Sequence, residues 1–521
     1  MSNAETTTTN QPGTGPPPPN GLAWPAVRVR RSTTPTATAI IADAVRDVDA
    51  GLTATVEQVS DWRRDYPKIF RKLTELGASS PDAAIRSARN GLASMRRRFT
   101  FVRDGAETSL DDALRGYTEP ALRTVRITGS GAREDVNGLT LPYHGERLAG
   151  GGIARLGEDW VRRGIVEPSL ADALDLVVEH PEWLDLRDVT VVVLGAGAEM
   201  GPLVSLLRWG AHVVALDLPR PATWERLMGL VAASAGTMSV PVPVSADVAD
   251  DHNAKEIAAV AGADLITQLP ETVTWLRTFE GPLTVGNYVY ADGGLHVLTS
   301  VAGDVLMTAI GEGRPEVSLA FLATPTDAFV VPEEVVENSR RRAKQQAGQR
   351  RAMQRAAQLA SLNTLFQPNY PRLYAMDDGR LVGINDAIVP RQGPNYLVAK
   401  RLQRWRAAVE RMNGRLVSLN VAPPTRTHSV VKNRALAAAY AGAHRFGLEI
   451  FDPSTSNTLM AALLVHDLRN PNALANPATP LHNPIELLWQ GANHGGLWRN
   501  PFSAESVLGI AVVLGMFESR A

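Results

Sequence analysis

Tyr396 and Lys400 stand four residues apart at the start of a segment whose helical spacing runs to about Met412. Four residues is close to one helical turn, so the phenol and the ammonium share a face. A cation beside a phenol lowers its pKa, and a tyrosine tuned in this way exchanges a proton with a carbonyl or alcohol near neutral pH. With nine tyrosines and six lysines in 521 residues one such pair arises easily by chance, so its setting has to carry the argument. Residues 379–384 before it read as a strand that ends at Asn385 and Asp386. An ionised Asp386 would repel developing negative charge on a substrate oxygen unless burial keeps it protonated.

A second constellation lies upstream. Residues 189–194 are a nearly continuous β-branched run, suited to a strand buried on both faces. Gly195-Ala196-Gly197-Ala198-Glu199-Met200-Gly201 follows at once, and residues 203–209 then show helical spacing. Strand, glycine turn and helix are what a pyrophosphate site needs, since glycines let the backbone approach the phosphates and a helix start offers unpaired N–H groups. A second strand, residues 212–216, ends in Asp217. An acid at that place accepts hydrogen bonds from the adenosine ribose, which predicts NAD, with NADP kept open by the nearby Arg220. The same layout suits S-adenosylmethionine, so methyl transfer stays an alternative.

These residues need a scaffold that gathers them. Residues 242–244 lead to Asp247-Val248, residues 263–269 read as another short buried strand, and residues 414–421 read as a last one before Pro423 and Thr427. Strands alternate with helical stretches, which predicts an α/β fold with a doubly wound parallel sheet of Rossmann type. In this order the chain resembles the short-chain dehydrogenase/reductase family over roughly residues 189 to 430. The matching residues are Gly195 and Gly201 in the first turn, Asp217 after the second strand, Asp247-Val248 after the third, Tyr396 with Lys400, and Pro423 with Thr427. The resemblance implies a nicotinamide cofactor held by Gly195, Ala196, Gly197, Met200, Gly201, Asp217, Asp247, Val248, Lys400, Pro423 and Thr427. It implies Tyr396 as acid/base and Lys400 as the residue that lowers its pKa and holds the ribose, with Asn385 as polariser. The chain departs from the pattern at Glu199, where the middle glycine would stand, at Thr267-Gln268-Leu269-Pro270, where Asn-Asn-Ala-Gly is expected, and in having no serine between Gly379 and Tyr396.

Composition bounds the remaining possibilities. A formal net charge of −1 gives no global field for a polyanion, so a small-molecule substrate is expected rather than nucleic acid or a membrane. The absence of cysteine excludes disulfides, thiolate nucleophiles and Cys-ligated metals, and His466, His482 and His494 match no ligand spacing, so no metal is expected. The expected organisation is a disordered Thr/Pro-rich tail over 1–36, a mainly helical N-terminal region over 37–118 and an α+β connection over 119–188. The Rossmann domain follows over 189–430, with a basic helical insertion at about 331–365, and a helical C-terminal extension covers 431–521. Within that extension residues 507–517 are too short to span a bilayer and read as a buried helix. A cytoplasmic protein, open to homo-oligomerisation, is the reading. An oxidoreductase leads, and a nucleotide-binding or sensory protein without turnover is the other alternative.

Overall fold

The run of valines before the glycine turn forms a central strand of a seven-stranded sheet. The computed structural model describes residues 20–27, 30–247, 253–346 and 348–518. The sheet strands are β1 (Leu122–Thr128), β2 (Thr190–Leu194), β3 (His212–Leu216), β4 (Thr237–Pro243), β5 (Thr284–Asn287), β6 (Ser318–Ala323) and β7 (Val417–Val421). Across the sheet they lie in the order β7-β6-β5-β2-β3-β4-β1, and only the β4–β1 pair is antiparallel. Counted from β2, the parallel set reads 3-2-1-4-5-6, so the chain winds outward from the centre in both directions, as in a Rossmann-like α/β sheet.

Successive residues of each strand face opposite sides, and both sides are apolar. Val192, Leu194, Val214, Leu216, Val285 and Phe321 pack into one core with Ile40, Phe70, Val301 and Leu402. These partners come from helices Thr33–Val45, Trp62–Ser79, Gly294–Gly311 and Pro394–Met412. Val191, Val193, Val213 and Ala215 pack into the other core with Trp160, Leu174, Leu227 and Leu463, carried by Gly151–Arg163, Pro168–Glu179, Pro221–Ala232 and Pro453–Arg469. The N-terminal helices and the C-terminal helix Pro453–Arg469 are therefore layers of the same sandwich. A parallel sheet with two apolar faces requires cover on both. Gly294–Gly311 is long and apolar enough to cross a membrane, and 78% of it is buried inside the protein as a core helix.

Several expectations change. Residues 1–19, 28 and 29 lie outside the described residues, but within the expected tail Gly21–Ala23 pairs antiparallel with Thr100–Arg103, and a helix begins at Thr33. Residues 263–269 are not a strand, because helix Leu269–Leu276 starts there and the next parallel strand is β5. Leu381–Asp386 is a strand, but it pairs antiparallel with Ala328–Pro332 and Tyr374–Ala375 in a separate sheet inserted between β6 and helix Pro394–Met412. The basic segment forms helices Glu333–Gln345 and Gly348–Ala360. Helix Ala504–Glu518 is covered on one side only. Its Gly515 meets the Ala438 carbonyl of helix Arg434–Ala443, while Val513, Met516 and Phe517 stay exposed.

Candidate functional site

Thr324 is the first residue past β6, and Tyr396 sits in the first turn of the helix that returns the chain to β7. Both therefore lie at the carboxyl end of the parallel sheet, where open α/β folds keep their sites. The Tyr396 ring is partly buried and stacks on the imidazole of His296, with centroids 5.4 Å apart and planes 15° from parallel. Burial pushes the phenol well above its ordinary pKa, and the Thr324 hydroxyl works in the other direction. Lys400, one turn along, donates from Nζ to the Leu322 carbonyl (3.2 Å) and to Gln403 Oε1 (3.1 Å). Burial lowers its pKa to about 8, against the pull of Asp327. The expected lowering of the Tyr396 pKa by Lys400 is thus not what this geometry produces. Burial dominates at the phenol, and the ammonium is engaged by the strand and Gln403.

His296 is buried, and its pKa falls to about 3 through burial and then the charge of Lys400. Its Nδ1 accepts the N–H of Ala291 (3.3 Å), so the proton belongs on Nε2, which has no partner among the described residues. Asn385 takes a different place. Its Nδ2 donates to Asn369 Oδ1 (3.1 Å) and the Leu497 carbonyl (3.4 Å) inside the wall formed by the inserted sheet and the C-terminal loop. Asp386 is pushed up by burial, with Arg71 Nη1 at 3.7 Å opposing.

At the glycine turn Gly195 adopts φ +81°, a conformation that favours glycine. The N–H groups of Gly195 and Ala196 both donate to the Leu216 carbonyl, at 2.8 and 2.9 Å, which binds the turn to the end of β3. Asp217, one residue on, accepts the N–H of Gly197 on Oδ2 (2.7 Å) and that of Leu218 on Oδ1 (2.8 Å). A Cβ at Gly197 would lie 3.0 Å from that Oδ2, so glycine is what lets the acid reach the turn. The helix beyond is Leu203–Arg208, only six residues long. The helix starts at Leu203, as its spacing predicts, and its six residues give it a small dipole. Met200 is half-buried against the second core, and the Gly201 carbonyl accepts from Asn457. Glu199 Oε2 accepts the N–H of His428 (2.8 Å) and so ties the glycine turn to the loop that carries Pro423 and Thr427. Asp247 is exposed, and Val248 lies outside the described residues.

A chain of contacts links the two constellations. Gly195 packs against Val289, just past β5, with a Cβ there 3.1 Å from the Val289 Cα. The adjoining Tyr290 ring lies 5.2 Å from His296, which in turn stacks on Tyr396. Sequence reasoning missed Thr324, His296 and Gln403. Thr324 is separated from Tyr396 by the whole inserted sheet, so no local spacing pointed to it; Gln403 alone was within reach, three residues beyond Lys400 on the same helical face. The three C-terminal histidines have separate partners: His466 has Asp467 and Asn470, His482 has Asp377 and Asp378, and His494 has Glu167.

No family model and no curated protein matches this chain. A solved structure, a thiolation-reductase di-domain from an archaeal non-ribosomal peptide synthetase, is similar over 81% of this chain and 70% of that one. Identity is 12% and the TM-score 0.26, a likeness too slight to carry an argument.

Proposed function

We propose that the chain is an NAD(P)-dependent oxidoreductase of the short-chain dehydrogenase/reductase type, passing hydride between nicotinamide and a carbonyl or alcohol carbon. One observation supports this most: Tyr396 and Lys400 open the helix after the fifth parallel strand, and the hydroxyl of Thr324, at that strand's end, acts on the phenol. The resemblance calls for a side-chain hydroxyl near the tyrosine, and Thr324 takes that part in place of Asn385. The turn fits a dinucleotide where a side chain would fill the approach to Asp217. Gly195 to Gly201, Asp217 and the Pro423–Thr427 loop would hold the cofactor, whose nicotinamide supplies or accepts the hydride when bound. The protein's own part is the proton. A phenol whose pKa burial raises stays protonated at neutral pH, so Tyr396 Oη is set to donate to a carbonyl oxygen as charge develops on it, the direction of reduction. The Thr324 hydroxyl orients that oxygen, and Lys400, charged below about pH 8, keeps a cation behind the ring.

The test is a titration of the protein with NADH and NADPH. Binding is expected, tighter for NADH because Asp217 disfavours a 2′-phosphate, and no binding of either at about millimolar concentration ends the proposal. Against a carbonyl panel, Tyr396→Phe is expected to lower turnover by about 10²–10⁴ with NADH affinity unchanged. A nucleotide-binding protein without turnover is the second reading, favoured by the engagement of Lys400 with Leu322 and Gln403. Cofactor binding with no reduction of any carbonyl would select it, and a thermal shift with S-adenosylmethionine but neither nicotinamide would select methyl transfer.

A further inference from the structure

Helix Gly348–Ala360 turns its apolar side outward. At about 100° per residue, Ala352, Met353, Ala356, Leu359 and Ala360 share one side, and Arg351, Gln354, Arg355 and Gln358 the other. A surface helix of a globular protein normally buries the first and exposes the second. Here the apolar residues named are all exposed, whereas Arg351, Gln354 and Gln358 are half-buried. Arg351 Nη2 donates to the carbonyls of Lys344 and Gln346, which holds the polar side against the end of the preceding helix.

The chain then passes Leu362 and reaches the start of helix Ala504–Glu518. Phe366 meets Phe502 with ring centroids 5.2 Å apart, and the Gln367 N–H donates to Ser506 Oγ (3.1 Å). Between Glu505 and Glu518 that helix carries no charge, although only its side toward Arg434–Ala443 is covered. The four most exposed large apolar side chains among the described residues are Leu362 (87%), Met353 (74%), Leu359 (72%) and Phe517 (66%), and all belong to these two neighbouring segments. One exposed leucine means little, but such a concentration marks a surface that something covers. Its surroundings are basic. Between Glu337 and Asp377 the chain has eight arginines and lysines and no acid, and of these Arg340, Arg341, Lys344 and Arg355 are exposed. Arg355 stands one turn before Leu359, at the edge of the apolar side.

A net charge of −1 over the whole chain conceals this local excess. Cations beside outward apolar side chains are the complement of a lipid interface with anionic head groups, which needs no matching groove to cover them. A second copy fits less well, because a two-fold contact sets the same surface against itself and brings like charges together. Helix Ala504–Glu518, at 15 residues, is too short to span the bilayer and lies along it instead.

We propose that helices Gly348–Ala360 and Ala504–Glu518 form a face that docks on a bilayer surface containing anionic lipid. Met353, Leu359, Leu362 and Phe517 enter the head-group boundary, and Arg340, Arg341, Lys344 and Arg355 meet the lipid phosphates. The full chain is sedimented with vesicles of phosphatidylcholine alone and with vesicles of equal parts phosphatidylcholine and phosphatidylglycerol. Binding to the anionic vesicles alone is expected, weakened by added salt. Replacing Leu359→Glu together with Leu362→Glu is expected to weaken it by about ten-fold or more, and Arg340→Gln with Arg341→Gln by about ten-fold. These side chains are exposed, and thermal melts matching the parent verify that each variant is folded. No sedimentation with anionic vesicles, equal binding to neutral ones, or binding that the leucine pair leaves unchanged would each overturn the proposal. So would polyglutamate binding as tightly as the anionic vesicles, which assigns the face to acidic proteins, or a dimer in light scattering that the leucine pair dissociates, which assigns it to a second copy.

Discussion

Lys400 is a residue at which the proposed function and stability pull against each other. Its folded pKa, about 8, lies below its ordinary value of 10.5 because burial disfavours the ammonium. Between those values the unfolded chain binds more protons, so stability rises as pH climbs from about 8 to 10.5, and the cost is present in full below 8. Lys400→Met removes that cost. It is expected to stabilise the protein by about 1–3 kcal/mol at pH 7, to flatten the rise above pH 8, and to abolish any carbonyl reduction. Urea melts across that pH range read the first two, and a variant less stable than the parent at pH 7 would refute the burial argument. The residue scale is also where sequence reading went furthest and then stopped. The four-residue spacing placed Tyr396 and Lys400 on one face correctly, but the sign of the phenol's shift came from burial, which spacing does not report.

At the scale of elements, the glycine turn shows how much a local pattern can hold. Strand β2, the turn and Asp217 were legible because each is contiguous and each residue type has a local cause: β-branched residues for a doubly buried strand, Gly195 for a positive φ, an acid at the next strand's end. Helix Leu203–Arg208 was legible to within one residue, from the helical spacing of residues 203–209. The contact between Gly197 and Asp217 gives a prediction at this scale. Gly197→Ala brings a Cβ to 3.0 Å from the carboxylate and displaces it without straining the backbone. The NADH-over-NADPH preference is expected to collapse by about ten-fold or more, with thermal stability changed by less than about 1 kcal/mol. Retention of the preference, measured by paired titrations, would mean that Asp217 does not read the ribose.

Across the whole molecule, distant segments are held by buried charge. Glu167, at the start of Pro168–Glu179, receives Nε2 of His494 (2.9 Å) and a two-pronged contact from Arg499 (2.8 and 2.7 Å), which also reaches Glu334. Burial raises the Glu167 pKa, but its hydrogen bonds to His494 and Arg499 outweigh that and bring it to about 2, while burial depresses His494 below 6.5. Both folded values lie below the unfolded ones, so both contributions are present above the unfolded pKa and are lost as pH falls. The decline is expected to begin below pH 6.5 as His494 is forced to charge, and to steepen between 4.5 and about 2 by about 3 kcal/mol from Glu167. Glu167→Gln should lower stability at pH 7 and flatten the acid limb; an unchanged acid limb in melts from pH 7 to 3 would contradict the linkage. Such ties explain what each level of information decides. The sequence by itself determined the α/β class, the glycine turn and the Tyr396 helix, because hydrophobic period and turn chemistry act over a few neighbouring residues. Only the tertiary structure decided that Thr324 and His296 join Tyr396, that Asn385 belongs to another wall, and that the terminal helices are layers of the sheet's cover. Those facts depend on segments far apart in the chain closing over a common apolar surface, and the burial this creates, together with the partners it brings within reach, shifts Tyr396, Lys400, His296 and Glu167.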